Sequence, residues 1–156
     1  MKRRLILLLA VIVSLVGCAP MPQQTKSSLE LQAIQSKEFE TSKKVAFAAV
    51  MSVFQDLGYT VSSASLDTGF ISAQSPTKQD FQLFIGQRMT DVKATAFVEE
   101  ISQGRTRVRL NFVTDVQTSG GYGMKGEHET PIEDPKTYQD AFAKIEHGIF
   151  IRQNVD

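Results

Sequence analysis

The sequence predicts an α+β domain: an antiparallel sheet of four to six strands with two amphipathic helices packed on one face. Three features carry this. Apolar residues recur at helical spacing around Phe47 and again around Phe142. Residues 92–102 and 105–117 alternate apolar and polar on either side of Gln103-Gly104, as the arms of a hairpin do. No charge block or low-complexity stretch interrupts residues 29–156, which read as one domain.

Within that domain residues 29–41 alternate loosely through Leu29, Leu31, Ala33 and Phe39, and are expected to enter as a first strand. Ser42 is placed as an N-cap. Behind it Phe47, Val50, Met51, Phe54 and Leu57 form a helical stripe, and Gly58 stands where a C-terminal cap belongs. Residues 59–66 and 70–75 read as strands joined by the turn Asp67-Thr68-Gly69. Residues 78–91 fit two patterns. Phe81, Phe84, Ile85 and Met89 suit a helical face, and Phe81, Leu83 and Ile85 suit alternation. With Gln103-Gly104 as the whole hairpin loop, Phe97 faces Leu110 on the side of Val108 and Phe112, and Glu100 meets Arg107 on the other side. Residues 127–132 supply a further strand. Asp134-Pro135 then starts a last helix, with Tyr138, Ala141, Phe142, Ile145, Ile149 and Phe150 along its stripe.

Composition narrows the function. Lys and Arg total 17 against 17 Asp and Glu, so no basic field recruits nucleic acid. A single cysteine excludes an internal disulfide framework and a multi-cysteine zinc site. Lys2, Arg3 and Arg4 precede an apolar run, residues 5–16, broken only by Ser14. Twelve helical residues rise about 18 Å against a hydrocarbon core of roughly 30 Å, the length of a signal peptide rather than of a membrane span.

The run ends in Leu15-Val16-Gly17-Cys18, which resembles the lipobox of bacterial lipoproteins. That resemblance implies a diacylglyceryl group on the Cys18 thiol, cleavage between Gly17 and Cys18, and acylation of the new N-terminus. Residues 1–17 are then the signal peptide, and three acyl chains exceed what stable anchoring needs. Ala19 stands where aspartate tends to retain such proteins at the inner membrane, which implies the outer membrane with the domain facing the periplasm. Cleavage removes three of the basic residues and none of the acidic ones, leaving −3 on the mature chain and no attraction to anionic lipid. Residues 18–28, with Pro20 and Pro22 and no periodicity, read as a lipidated tether. The ten residues after Cys18 reach roughly 15–20 Å.

No catalytic constellation is predicted, and neither a cofactor nor a metal is expected. Gly121, Gly123 and Gly126 spell G-x-G-x-x-G, but Glu127-His128-Glu129-Thr130-Pro131 follow where a dinucleotide site needs a helix. Residues 120–126 are expected to be a glycine-rich hairpin loop without nucleotide. Glu127, His128 and Glu129 are neighbours on a strand, where adjacent side chains point to opposite faces, and the other histidine, His147, lies in the last helix. Cys18 is committed to lipid, and no serine occupies a G-x-S-x-G elbow. Glu99 and Glu100 alternate across a strand, while Arg105, Arg107 and Arg109 share one strand face and, opposite Glu100, form a charged solvent surface.

Beyond the signal the chain resembles a family of uncharacterised outer-membrane lipoproteins. The likeness rests on Ile34-Gln35-Ser36-Lys37-Glu38-Phe39-Glu40-Thr41, on Leu57-Gly58-Tyr59-Thr60-Val61, on the stretch Ile132-Glu133-Asp134-Pro135-Lys136-Thr137-Tyr138-Gln139-Asp140-Ala141-Phe142, and on Ile149-Phe150-Ile151. It implies an envelope lipoprotein without a known catalytic centre. The expected function is a non-enzymatic accessory, bound to the membrane through Cys18, that binds another envelope protein at an exposed strand edge. The alternative is a carrier of a small apolar ligand or lipid, with a cavity among Phe47, Phe54, Phe97 and Phe112.

Overall fold

The computed structural model describes residues 27–82, 86–120 and 125–154. Residues 29–41 are not one strand. Ser28–Gln35 form a helix, α1, and Ser36–Phe39 a short strand, β1. The cause is a capping box. The Ser27 hydroxyl accepts the Glu30 amide at 3.3 Å, and Glu30 Oε2 accepts the Ser27 amide at 2.8 Å, which satisfies two donors that a helix start leaves bare. Ser28, read as tether, is already helical. Leu29, read as a strand residue, is helical and 75% exposed.

The local signals further on are realised. The Ser42 hydroxyl accepts the Val45 amide and starts α2 (Lys43–Asp56). Gly58 follows its end at φ +79°, the left-handed conformation that glycine adopts without strain. Thr60–Ser65 (β2) and Phe70–Gln74 (β3) pair across the Asp67-Thr68-Gly69 turn. Of residues 78–91 the described ones take the extended alternative: Lys78–Gln82 (β4) pairs with the start of Gly86–Ser102 (β5), and residues 83–85 lie outside the described residues. Then come Arg105–Ser119 (β6), Lys125–Pro131 (β7) and Pro135–Gln153 (α3), whose first amides bond to the Asp134 carboxylate.

Seven strands make one antiparallel sheet in the order β1-β6-β5-β3-β2, with β4 on β5 and β7 on β6. The sheet exceeds the expected four to six strands because β5 and β6 run 17 and 15 residues, long enough for each to take two partners in succession on its outer edge. Among the described residues helices number three rather than two. α2 and α3 cover one face, and their Ala46, Val50, Phe54, Phe142 and Ile145 join Ile71, Ala94, Ala96, Val98, Val108, Leu110 and Phe112 in the core.

The hairpin register differs by one from the expected pairing. Phe97 stands opposite Arg109 and Ala96 opposite Leu110, because the ladder slips between Glu100 and Ser102. An extra residue on β5 turns every side chain beyond it to the other face. Ala94, Ala96 and Val98 therefore enter the core, and Phe97 lies outside, 44% exposed. Glu100 meets Thr106 and Glu99 meets Arg107. On α3, Phe150 also leaves the expected stripe and is 63% exposed: five residues beyond the buried Ile145, it is rotated about 140° from it.

Along β6, pairing with β1 ends at Arg109 and pairing with β7 begins at Val113. Tyr138 closes this gap. Its hydroxyl donates to the Ile132 carbonyl at 2.8 Å and accepts from the Phe112 amide and Gln35 Nε2, each at 3.4 Å. Tyr138→Phe, which keeps the ring and strips these buried partners, is expected to cost about 1–3 kcal/mol in urea denaturation.

Candidate functional site

Four described strands have a free edge: β1, β2, β4 and β7. Charge or proline on an edge deters pairing with another chain. β1 carries Lys37 and Glu38, β4 carries Lys78 and Asp80, and β7 carries Lys125, Glu127, Glu129 and Pro131. β2, Thr60-Val61-Ser62-Ser63-Ala64-Ser65, carries neither. Its bulge is folded back onto β3, where the Ser62 hydroxyl donates to the Ser72 carbonyl at 3.1 Å. Ser63 and Ala64 are exposed and regularly paired on their inner side.

Beside that edge lies the sheet face away from α2 and α3. Phe70 of β3 and Phe97 of β5 stand opposite each other there, about two-fifths exposed. Phe97 and Arg109 line a groove of about 510 Å³ against Leu29, Gln32 and Ala33 of α1. Of the three arginines on this face, Arg107 bonds Glu38 at 2.8 Å and Glu99 at 3.2 Å, and Arg105 Nε lies 3.8 Å from Glu38. The partners are thus Glu38 and Glu99, not the expected Glu100, as the register slip requires. The hydrogen bond from Arg107 holds the Glu38 carboxyl below its ordinary range. Arg109 has no ion-pair partner among the described residues.

A second constellation was not anticipated. Asp115 of β6 is 1% exposed and stands directly across from Asp91 of β5 and Glu129 of β7. Lys93 Nζ lies 2.9 Å from Asp115 Oδ2 and 2.6 Å from Glu129 Oε1, and Gln74 donates to Asp91 at 2.7 Å. Asp115 Oδ1 has no hydrogen-bond partner among the described residues. One carboxylate oxygen each from Asp115, Glu127 and Glu129 lies within 4.8 Å of the others. His128 points to the opposite face from its two neighbours, but Glu127 and Glu129 are alternate and share a face. The hydrogen bond from Lys93 holds the Asp115 carboxyl below its ordinary value, while the bonds to Glu129 and then to Asp115 raise the Lys93 ammonium well above its own. A depressed folded-state carboxyl stabilises above the unfolded value of about 3.9 and loses that contribution as pH falls through its own lower one. Lys93→Met should therefore be less stable than wild type near neutral pH, with the difference shrinking as pH falls through the depressed value, as urea denaturation at a series of pH values will show.

The remaining predicted positions fall elsewhere. Gly17, Cys18, Gly121 and Gly123 lie outside the described residues, while Gly126 belongs to β7 rather than to a loop, so a strand follows the glycines where a dinucleotide fingerprint requires a helix. His147 is exposed on α3.

No protein family and no curated protein matches the chain. Solved structures similar to it include a DUF4468 family protein from Bacteroides ovatus, at 10% identity and a TM-score of 0.39, covering 80% of this chain and 96% of that one. Another is a TBP-like protein from Parabacteroides distasonis, at 16% identity and a TM-score of 0.39, covering 78% of this chain and 92% of that one. Likenesses of this size leave function to be argued from the chain itself.

Proposed function

We propose that the protein is an outer-membrane lipoprotein, anchored through Cys18, whose periplasmic domain accepts an extended segment of another envelope protein along β2. The observation that carries the reading is the β2 edge, which alone among the four described free edges bears neither charge nor proline. An incoming strand gains main-chain hydrogen bonds from such an edge, and alternate side chains give it specificity. Phe70 and Phe97 extend an apolar surface on the adjoining face. Supporting the anchor are the basic Lys2, Arg3 and Arg4, the apolar residues 5–16 and the box ending at Cys18. The role needs no catalytic group.

Carriage of an apolar ligand has less support. Phe47, Phe54 and Phe112 are buried between helices and sheet, with the Phe112 ring 6.4 Å from Phe54 and 5.3 Å from Tyr138. These rings occupy the space a ligand would need.

Two measurements test the reading. Cys18→Ser is expected to lose palmitate labelling and to accumulate as a precursor retaining residues 1–17, whereas a chain starting at Ser27 behind a conventional signal should fractionate as soluble. Equal labelling of wild type and Cys18→Ser, or a membrane-bound Ser27 chain, overturns the anchor. For the edge, a photo-reactive side chain at Ala64 in intact cells should give an adduct that mass spectrometry maps to an extended segment of an envelope protein. Adding Ser63→Lys should abolish that adduct with an unchanged melting temperature, and an adduct indifferent to the lysine overturns the β2 assignment.

A further inference from the structure

We infer that Asp115, Glu127 and Glu129 form a site for a hard divalent cation, Ca²⁺, between β6 and β7. Asp115 and Glu129 are direct partners across the two strands, and Glu127, two residues from Glu129, shares their face. Their oxygens lie within 4.8 Å of one another. A cluster this tight admits one ion touching all three, and of the hard divalent ions Ca²⁺ accepts irregular coordination by exposed side chains, whereas Mg²⁺ demands a near-ideal octahedron of closer ligands.

A separate observation points to a ligand. Asp115 is buried, and both Lys93 and Gln117 engage its Oδ2, leaving Oδ1 with no donor among the described residues. A buried carboxylate oxygen without a partner is costly, and Asp91 directly across adds a like charge. Lys93 brings one positive charge to the three carboxylates, so a net −2 remains, which a divalent ion neutralises. Every donor is a carboxylate oxygen, the ligand type of calcium and magnesium rather than of softer metals. Glu127 also lines a groove of about 490 Å³ with Gln117, Thr118, Ser119, Lys125 and Gly126, and both glutamates are exposed, so water reaches the outer side of the cluster. The bound ion would tie β7, the strand leading into α3, to the long hairpin.

Glu127 and Glu129 are exposed, so the affinity expected is that of extracellular calcium modules, Kd about 10⁻⁴–10⁻³ M. The test is isothermal titration of CaCl₂ into the full chain in non-ionic detergent, stripped of divalent ions beforehand. One ion per chain is expected, with binding at least about tenfold weaker in the Glu127→Gln/Glu129→Gln double variant and for MgCl₂ with wild type. Both glutamates being exposed, the double variant should keep the wild-type circular dichroism. Absence of saturable Ca²⁺ binding in the wild type, or an unchanged Kd in the double variant, overturns the site. Magnesium binding as tight as calcium overturns its assignment to calcium.

Discussion

Gly69→Ala is expected to remove about 2–5 kcal/mol of the domain's stability. Gly69 lies in the β2–β3 turn at φ +77°, a conformation that costs an L-residue about 1–2 kcal/mol. The turn also lies hard against β5: the Val98 amide donates to the Gly69 carbonyl at 2.8 Å, and a Cβ on Gly69 would be driven far inside contact with the Val98 carbonyl oxygen. Both clashing atoms belong to, or are fixed on, main chain, so no rotamer change relieves them, and β3 must move off β5. Displacements of that kind in packed interiors cost about 1–3 kcal/mol. Together the two effects reach about 2–5 kcal/mol, against a total stability of about 5–15 kcal/mol for ordinary domains. Gly58→Ala separates them. Gly58 has φ +79° but nothing within 4 Å of the added carbon, so it should lose only the conformational part. Urea denaturation of the two variants measures the difference, and equal midpoints would remove the close packing of the turn from the account. Because β2 hangs on this turn, Gly69→Ala should also abolish the Ala64 cross-link.

What was legible in the sequence was local. Ser42 and Asp134-Pro135 start their helices by rules that involve only the next three residues. The Asp67-Thr68-Gly69 turn likewise needed no knowledge of the rest of the chain. Ser27 and Glu30 form a motif of the same kind, hidden behind the loose alternation of Leu29, Leu31 and Ala33. Elsewhere distant chain decides. Phe97 is the larger residue and reads as core, yet a single extra residue near Ile101 sends Ala96 inward, where the helix layer carrying Ala46 and Ala49 packs. The unguarded status of β2 depends on strand order, which no local pattern encodes. Asp115 becomes notable only once β6 and β7 are in register, because that register brings it beside Glu129 from fourteen residues away. The one available signal was an acidic residue at an alternating position between Val113 and Gln117.

Loss of α3 is expected to be the other large effect, and Phe142→Ala its smallest sufficient form. Phe142 is 5% exposed, and its ring lies 6.3 Å from that of Phe39, so one side chain joins the last helix to β1. Truncating a buried phenylalanine removes its transfer energy and leaves a cavity, about 3–5 kcal/mol in all. Phe150→Ala on the same helix is the control: with its ring mostly in solvent it should stay within about 0.5 kcal/mol of wild type. Ending the chain at Asp134 goes further. It removes Tyr138 with the helix, so the Ile132 carbonyl and Phe112 amide lose their common partner in the gap between β1 and β7. It also uncovers Val108, Leu110 and Phe112, which together with α2 cannot enclose a core from one side. Thermal denaturation of the chain ending at Asp134 should show no cooperative transition. A sharp one would mean that α2 and the sheet fold alone, and that α3 is an addition to the domain rather than the second half of its helix layer.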